Sequence, residues 1–159
     1  MAKGNEIIVT AEPKGVRLEG FVSGTPKPGT LMEIAAATEP IAGEHTWQVY
    51  QPGTDGERRL MAVLLPDHLQ GKTEEDAYVD GDRCFLYCPL PGDHLNMLVA
   101  NISGTSDTFA IGDILIADTG TGKLIATTGT PESEPFILLE TEDTALTADE
   151  LKWCMFTGY

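Results

Sequence analysis

Basic residues are scarce in this chain. Of its 159 residues, 10 are Lys or Arg and 25 are Asp or Glu, a formal net charge of −15. Affinity for a phosphate backbone comes from Lys and Arg displacing counterions, so the balance argues against nucleic-acid binding. It is equally unsuited to the anionic leaflet of a membrane. No apolar run approaches the ~20 residues that cross a bilayer as a helix. The opening Met1-Ala2-Lys3-Gly4-Asn5-Glu6 reads as too polar for a signal peptide.

Nucleophiles and metal ligands are also few. The four serines are Ser23, Ser103, Ser106 and Ser133, and none sits in a Gly-x-Ser-x-Gly elbow. The three histidines, His45, His68 and His94, are far apart, and His45 and His94 read as turn residues. The three cysteines, Cys84, Cys88 and Cys154, are odd in number, which points to a reducing compartment and free thiols. On a strand, Cys84 and Cys88 share a face about 13 Å apart at ~3.3 Å per residue, beyond the roughly 7 Å a disulfide spans. Their spacing with His94 matches no zinc module. The sequence therefore gives no catalytic residue, no metal and no cofactor, and the chain is read as a non-enzyme.

Strand formers and turn formers are plentiful instead. Threonine occurs 18 times, glycine 17 and proline 10, and 42% of residues are hydrophobic, enough to build a core. Candidate strands are Glu6–Thr10, Leu31–Ala35, Thr46–Tyr50, Leu60–Leu65, Arg83–Cys88, Asn96–Ala100, Ile114–Ala117, Leu124–Thr127, Phe136–Leu139 and Trp153–Phe156. Between them lie Pro52-Gly53-Thr54-Asp55-Gly56, Pro91-Gly92-Asp93, Ser103-Gly104 and Thr119-Gly120-Thr121-Gly122, and Gly-Asp pairs precede strands at Gly81-Asp82 and Gly112-Asp113. Helix is limited to single turns at Pro66–Gln70 and at the capping box Thr147-Ala148-Asp149-Glu150. The expectation is an all-β chain: a compact β-barrel or sandwich with an extended N-terminal arm and little helix.

The hairpin from Asp113 to Thr128 is apolar on both strands, which calls for burial on two faces, inside a barrel or beneath a partner subunit. In Arg83–Cys88, Phe85 and Tyr87 face away from Cys84, Leu86 and Cys88. The apolar end of the chain, with Trp153, Met155, Phe156 and Tyr159, must be covered by the core or by a second subunit, because an exposed edge of this kind aggregates.

Charge divides the chain unevenly. The first thirty residues hold four bases (Lys3, Lys14, Arg17, Lys27) and three acids, a net of +1, and the rest carries −16. With Pro13, Pro26 and Pro28 and with Gly15, Gly20, Gly24 and Gly29 breaking any long strand, residues 1–30 read as an extended docking arm with one or two short strands. Residues 31–159 read as a β-barrel-like body, with 52–80 as a possible exposed insertion. The excess acid reads as a solvated outer face.

Two other classes have a foothold. Asp118-Thr119-Gly120 after an apolar strand is the tripeptide of aspartic proteases, in which two aspartates share a proton and activate water. That chemistry would need a dimer here, and the second apolar-Gly segment that packs behind such a loop is missing. A β-barrel binding surface glycans is the other, with Trp47, Tyr50 and Tyr78 as candidate exposed aromatics. Gly120-Thr121-Gly122-Lys123 is no phosphate loop, since Leu124 stands where Ser or Thr is required and a strand follows.

Several segments together carry a resemblance. They are Gly24–Thr30, His45–Tyr50, Thr54–Arg59, Ala62–Asp67, Gly81–Tyr87, Gly112–Thr127, Leu146–Asp149 and Trp153–Tyr159. In overall pattern the chain resembles the small head decoration (cement or stabilisation) proteins of tailed bacteriophages. The resemblance covers most of the chain and contains no catalytic signature. It implies a structural virion protein, made in the host cytoplasm, that binds the outer capsid surface and clamps neighbouring major capsid subunits. It implies a homo-oligomer, trimer or dimer, with no nucleic-acid or membrane partner. Lys3, Lys14, Arg17 and Lys27 of the arm would then meet acidic capsid groups.

Overall fold

Short turns of one recurring design set where the strands begin. In Val79–Asp82, Leu90–Asp93 and Ala110–Asp113 the third residue is a glycine with φ of 85°, 92° and 96°. A type II turn demands positive φ there. The aspartate then closes the turn twice: its N–H donates to the first residue's carbonyl at 2.9, 3.0 and 3.0 Å, and its carboxylate accepts that residue's N–H at 3.1, 2.9 and 2.8 Å. Each turn delivers the chain into a strand.

The computed structural model describes residues 6–9, 13–35, 43–51, 60–100, 108–118, 120–126, 136–140, 146 and 148–158. The strands are β1 (Val16–Val22), β2 (Leu31–Ile34), β3 (Thr46–Val49), β4 (Met61–Leu65), β5 (Arg83–Cys88), β6 (His94–Val99), β7 (Ile114–Ala117), β8 (Leu124–Ala126), β9 (Phe136–Leu138) and β10 (Glu150–Phe156). Among the described residues one 3-10 turn, His68–Gln70, has Asp67 as its N-cap, accepting from Leu69 and Gln70 N–H. The chain is all-β, as expected.

The strands close into two barrels. The first runs β1-β3-β2-β4-β5 and the second β10-β6-β8-β7-β9. Both have the same connectivity. In each, the first strand pairs parallel with the third. Every other pairing is antiparallel, and the fifth strand closes on the first. The chain is thus one five-stranded topology used twice.

This changes the expected division at residue 30. Val16–Val22 is a full barrel strand, paired with β5 over six residues. The glycines that read as strand breakers are there for close packing. A Cβ at Gly20 would lie 2.5 Å from Trp47 Cδ1, and one at Gly15 would lie 2.6 Å from the Tyr87 ring. Within the expected insertion 52–80, all five residues of β4 are buried and belong to the barrel. Most residues of 68–80 are exposed, with Glu74 and Tyr78 as buried anchors, and 52–59 lie outside the described residues.

Two cores follow from the pleat. Inside the first barrel lie Met32, Trp47, Ala62, Leu64 and Leu86. The outward residues of the same strands, Leu31, Met61, Val63, Leu65 and Tyr87, join Leu95, Met97, Phe136 and Phe156 of the second barrel in one continuous cluster. Burial on two faces therefore belongs to β4. On β7 and β8, where it was expected, Leu115, Ala117 and Leu124 are buried, but Ile114, Ile116 and Ile125 are partly open.

Backbone contacts fix the seam. Leu31 N–H donates to Gly122 O at 2.8 Å and Leu98 N–H to Gly29 O at 3.0 Å. Both glycines have positive φ, 84° at Gly29 and 63° at Gly122, and a side chain on either would strike the opposite barrel.

Candidate functional site

The linker between the barrels holds a buried carboxylate. Asp93 is fully buried. It accepts hydrogen bonds from Tyr87 Oη at 2.6 Å, Leu90 N at 2.9 Å and Lys14 N at 3.2 Å. Tyr87 Oη in turn accepts from Gly15 N at 2.7 Å. Burial alone would raise the Asp93 pKa, but these donors outweigh it and hold the carboxyl below its ordinary value. Burial pushes the Tyr87 phenol up to about 12. The node ties the entry to β1 to the inter-barrel turn. No motif flagged it in advance, although Pro91-Gly92-Asp93 marked the turn.

The described part of the N-terminal segment docks on the chain's own second barrel. Val9 N donates to His94 O at 2.9 Å and Asn96 N to Ile7 O at 2.8 Å, forming a bridge between Ile8 and Leu95. Asn96 Nδ2 donates to Glu6 O at 2.6 Å, and the Ile7 side chain is buried in the shared core. In this pattern the N–H and C=O of Ile8 point away from β6. Ile8 also lines a groove of about 550 Å³ with Leu18, Leu65 and Phe85 among its apolar walls and Glu6, Arg17, Glu19 and His68 among its polar ones. Leu69, 85% exposed, stands beside it.

The predicted contact residues are distributed rather than gathered. Lys14, Arg17 and Lys27 are exposed. Arg17 lines the groove. Lys27 lines a separate cleft of about 410 Å³ between the barrels, with Lys123 and Asp149, and is 3.7 Å from Glu75. Of the C-terminal set, Phe156 is core, tilted against Phe136 at 5.2 Å. Trp153 and Met155 lie on the outward face of β10, half-buried. Lys3 and Tyr159 lie outside the described residues.

The other candidates have local roles. Asp118 Oδ2 accepts from Thr121 Oγ1 at 2.7 Å in its own hairpin turn, and Thr119 is outside the described residues. Trp47, Tyr50 and Tyr78 are each 2% exposed or less, so they form no glycan platform. Tyr78 Oη donates instead to Leu65 O at 2.7 Å. His94 opens a strand rather than a turn, edge-on to Trp153 at 5.6 Å. The cysteines are free thiols, and burial pushes Cys84 up to about 12. Among the described residues no group of His, Cys, Asp and Glu is placed to hold a metal ion.

No protein-family model matches the chain, and no curated protein matches it at a significant level.

Proposed function

We propose that this chain is a structural, non-enzymatic protein of a tailed-phage head, docking on the outer capsid surface and bracing contacts between major capsid subunits. The observation that carries the reading is the groove beside residues 6–9. It offers an apolar floor, a backbone edge at Ile8 and an exposed guanidinium at Arg17, which together suit an extended segment of a protein partner. The buried Asp93 and Tyr87 serve the fold: they satisfy each other and the linker backbone. An acidic skin keeps such a protein dispersed, and many weak copies on a lattice act together through effective concentration. The chain would associate with itself, be made in the host cytoplasm and reside on the virion.

Mixing the purified protein with expanded, undecorated capsids and imaging them by cryo-electron microscopy tests this. Added density at symmetry axes is the expected result, weakened by Arg17→Glu. Bare capsids at saturating protein would overturn the reading.

A further inference from the structure

Shared connectivity gives each strand of the first barrel a counterpart in the second, and the registers align residue by residue. Leu31 pairs with Val63, and Val63 with Tyr87, across β2, β4 and β5. Ile114, Ile137 and Met155 make the same row across β7, β9 and β10. The preceding turns agree: Gly29 and Gly112, each two residues before its row, take φ of 84° and 96°. One row on, Glu33 opposite Gln48 corresponds to Ile116 opposite Ile125.

What covers the two rows differs. Leu31, Val63 and Tyr87 are 0%, 0% and 1% exposed, because the second barrel sits on them. Ile114 is 37% exposed, and Ile137 and Met155 are half-buried outside both core clusters. Ile116, Ile125 and Trp153 flank them on the same outward face. These six side chains span four adjacent strands and carry no charge, on a chain whose net charge is −15. A contiguous apolar face of this kind marks an interaction surface.

We infer that the outer face of β7, β8, β9 and β10 docks a second copy of this chain, packed through the same face about a two-fold axis. The corresponding face of the first barrel is already covered by a barrel of this sequence, so the occupant's shape has a precedent inside the molecule. A head-to-tail repeat of that seam is disfavoured by charge. Where the second barrel places Leu98 and Leu151 at the seam, the first has Phe21 and Arg83 at the matching positions. Arg83 is ion-paired with Glu19 and Glu44 at 3.3 and 3.2 Å and lies over the Phe21 ring. Pressing that network onto isoleucines would strand buried charges. The same face on a second copy brings apolar rows together and strands none, which is an isologous contact. The inference rests on the proposed role only in taking the chain to self-associate, and it names the surface.

Sedimentation equilibrium of the full chain tests it. The expected result is twice the mass of one chain, with Ile137→Glu raising the dissociation constant at least about 100-fold while the circular dichroism spectrum is unchanged. Ile116→Lys, on the same face, serves if Ile137→Glu does not fold, and Arg17→Glu, on the first barrel, should leave pairing intact. A single-chain or three-chain mass at about 100 µM would overturn the inference, as would full pairing in a folded face variant. Pairing without capsid binding counts against the decoration role alone. Capsid binding by a single-chain species counts against the pairing alone.

Discussion

The two barrels are built on one connectivity and dressed differently. The first buries strand β4 on both sides and wears ion pairs on its free side, where Arg83 holds Glu19 and Glu44. The second fills its interior in the same way but leaves isoleucines outward on β7, β8 and β9. Closing the barrel is thus independent of what faces away from it. The inward half of the pleat specifies the fold, and the outward half assigns each barrel its neighbour.

The largest effect should come from the seam. Gly122→Ala places a Cβ onto Leu31 O at a φ of 63°, and should destabilise by about 3 kcal/mol, or about 6–12 °C in Tm at this chain length. Gly120→Ala, at φ 84° in open space, should lose only about 1 kcal/mol. Thermal melts of the two variants side by side check the difference.

Next is a matched pair across the barrels. Leu31→Ala removes a fully buried side chain and should cost about 3 kcal/mol. Its counterpart Ile114→Ala, 37% exposed, should cost about 1 kcal/mol or less in the single chain. Urea titrations at low protein concentration check it. Equal losses would erase the distinction between a covered and an open face.

The linker node comes third. Asp93→Asn should cost about 2 kcal/mol at pH 7, since it weakens the bonds from Tyr87, Leu90 and Lys14. The folded Asp93 pKa lies below its unfolded value. Its ionised form therefore contributes stability that is fully present above about pH 4 and lost as pH falls through the lower, folded value. The gap between wild type and Asp93→Asn should narrow over that acid window in a series of melts at stepped pH. The smallest effect belongs to Arg83→Ala. Its charges are solvent-exposed, so about 0.5 kcal/mol is expected, shrinking further with added salt.

Much of the strand map was legible in the sequence, because alternation and Gly-Asp turns are local signals. Arg83–Cys88 and Ile114–Ala117 fall where expected. The β1 strand was hidden because Gly15 and Gly20 look like breakers until Tyr87 and Trp47 are seen against them. The duplication was hidden because equivalent positions share shape rather than identity: Val63 matches Ile137, Tyr87 matches Met155 and Glu33 matches Ile116. Its trace at matched positions is the pair of glycines Gly29 and Gly112, each with positive φ. The candidate surfaces were less legible still. Trp153 and Met155 could be flagged as apolar, but facing outward is a matter of register, and the groove draws its walls from segments far apart in sequence.

Side-chain oxidation footprinting across a concentration series tests the central contrast between the faces most directly. Trp153 and Met155 should become protected as the protein is concentrated, while Leu69, 85% exposed on the first barrel's side, reacts at a constant rate. Labelling of Trp153 and Met155 that does not change with concentration would contradict the account.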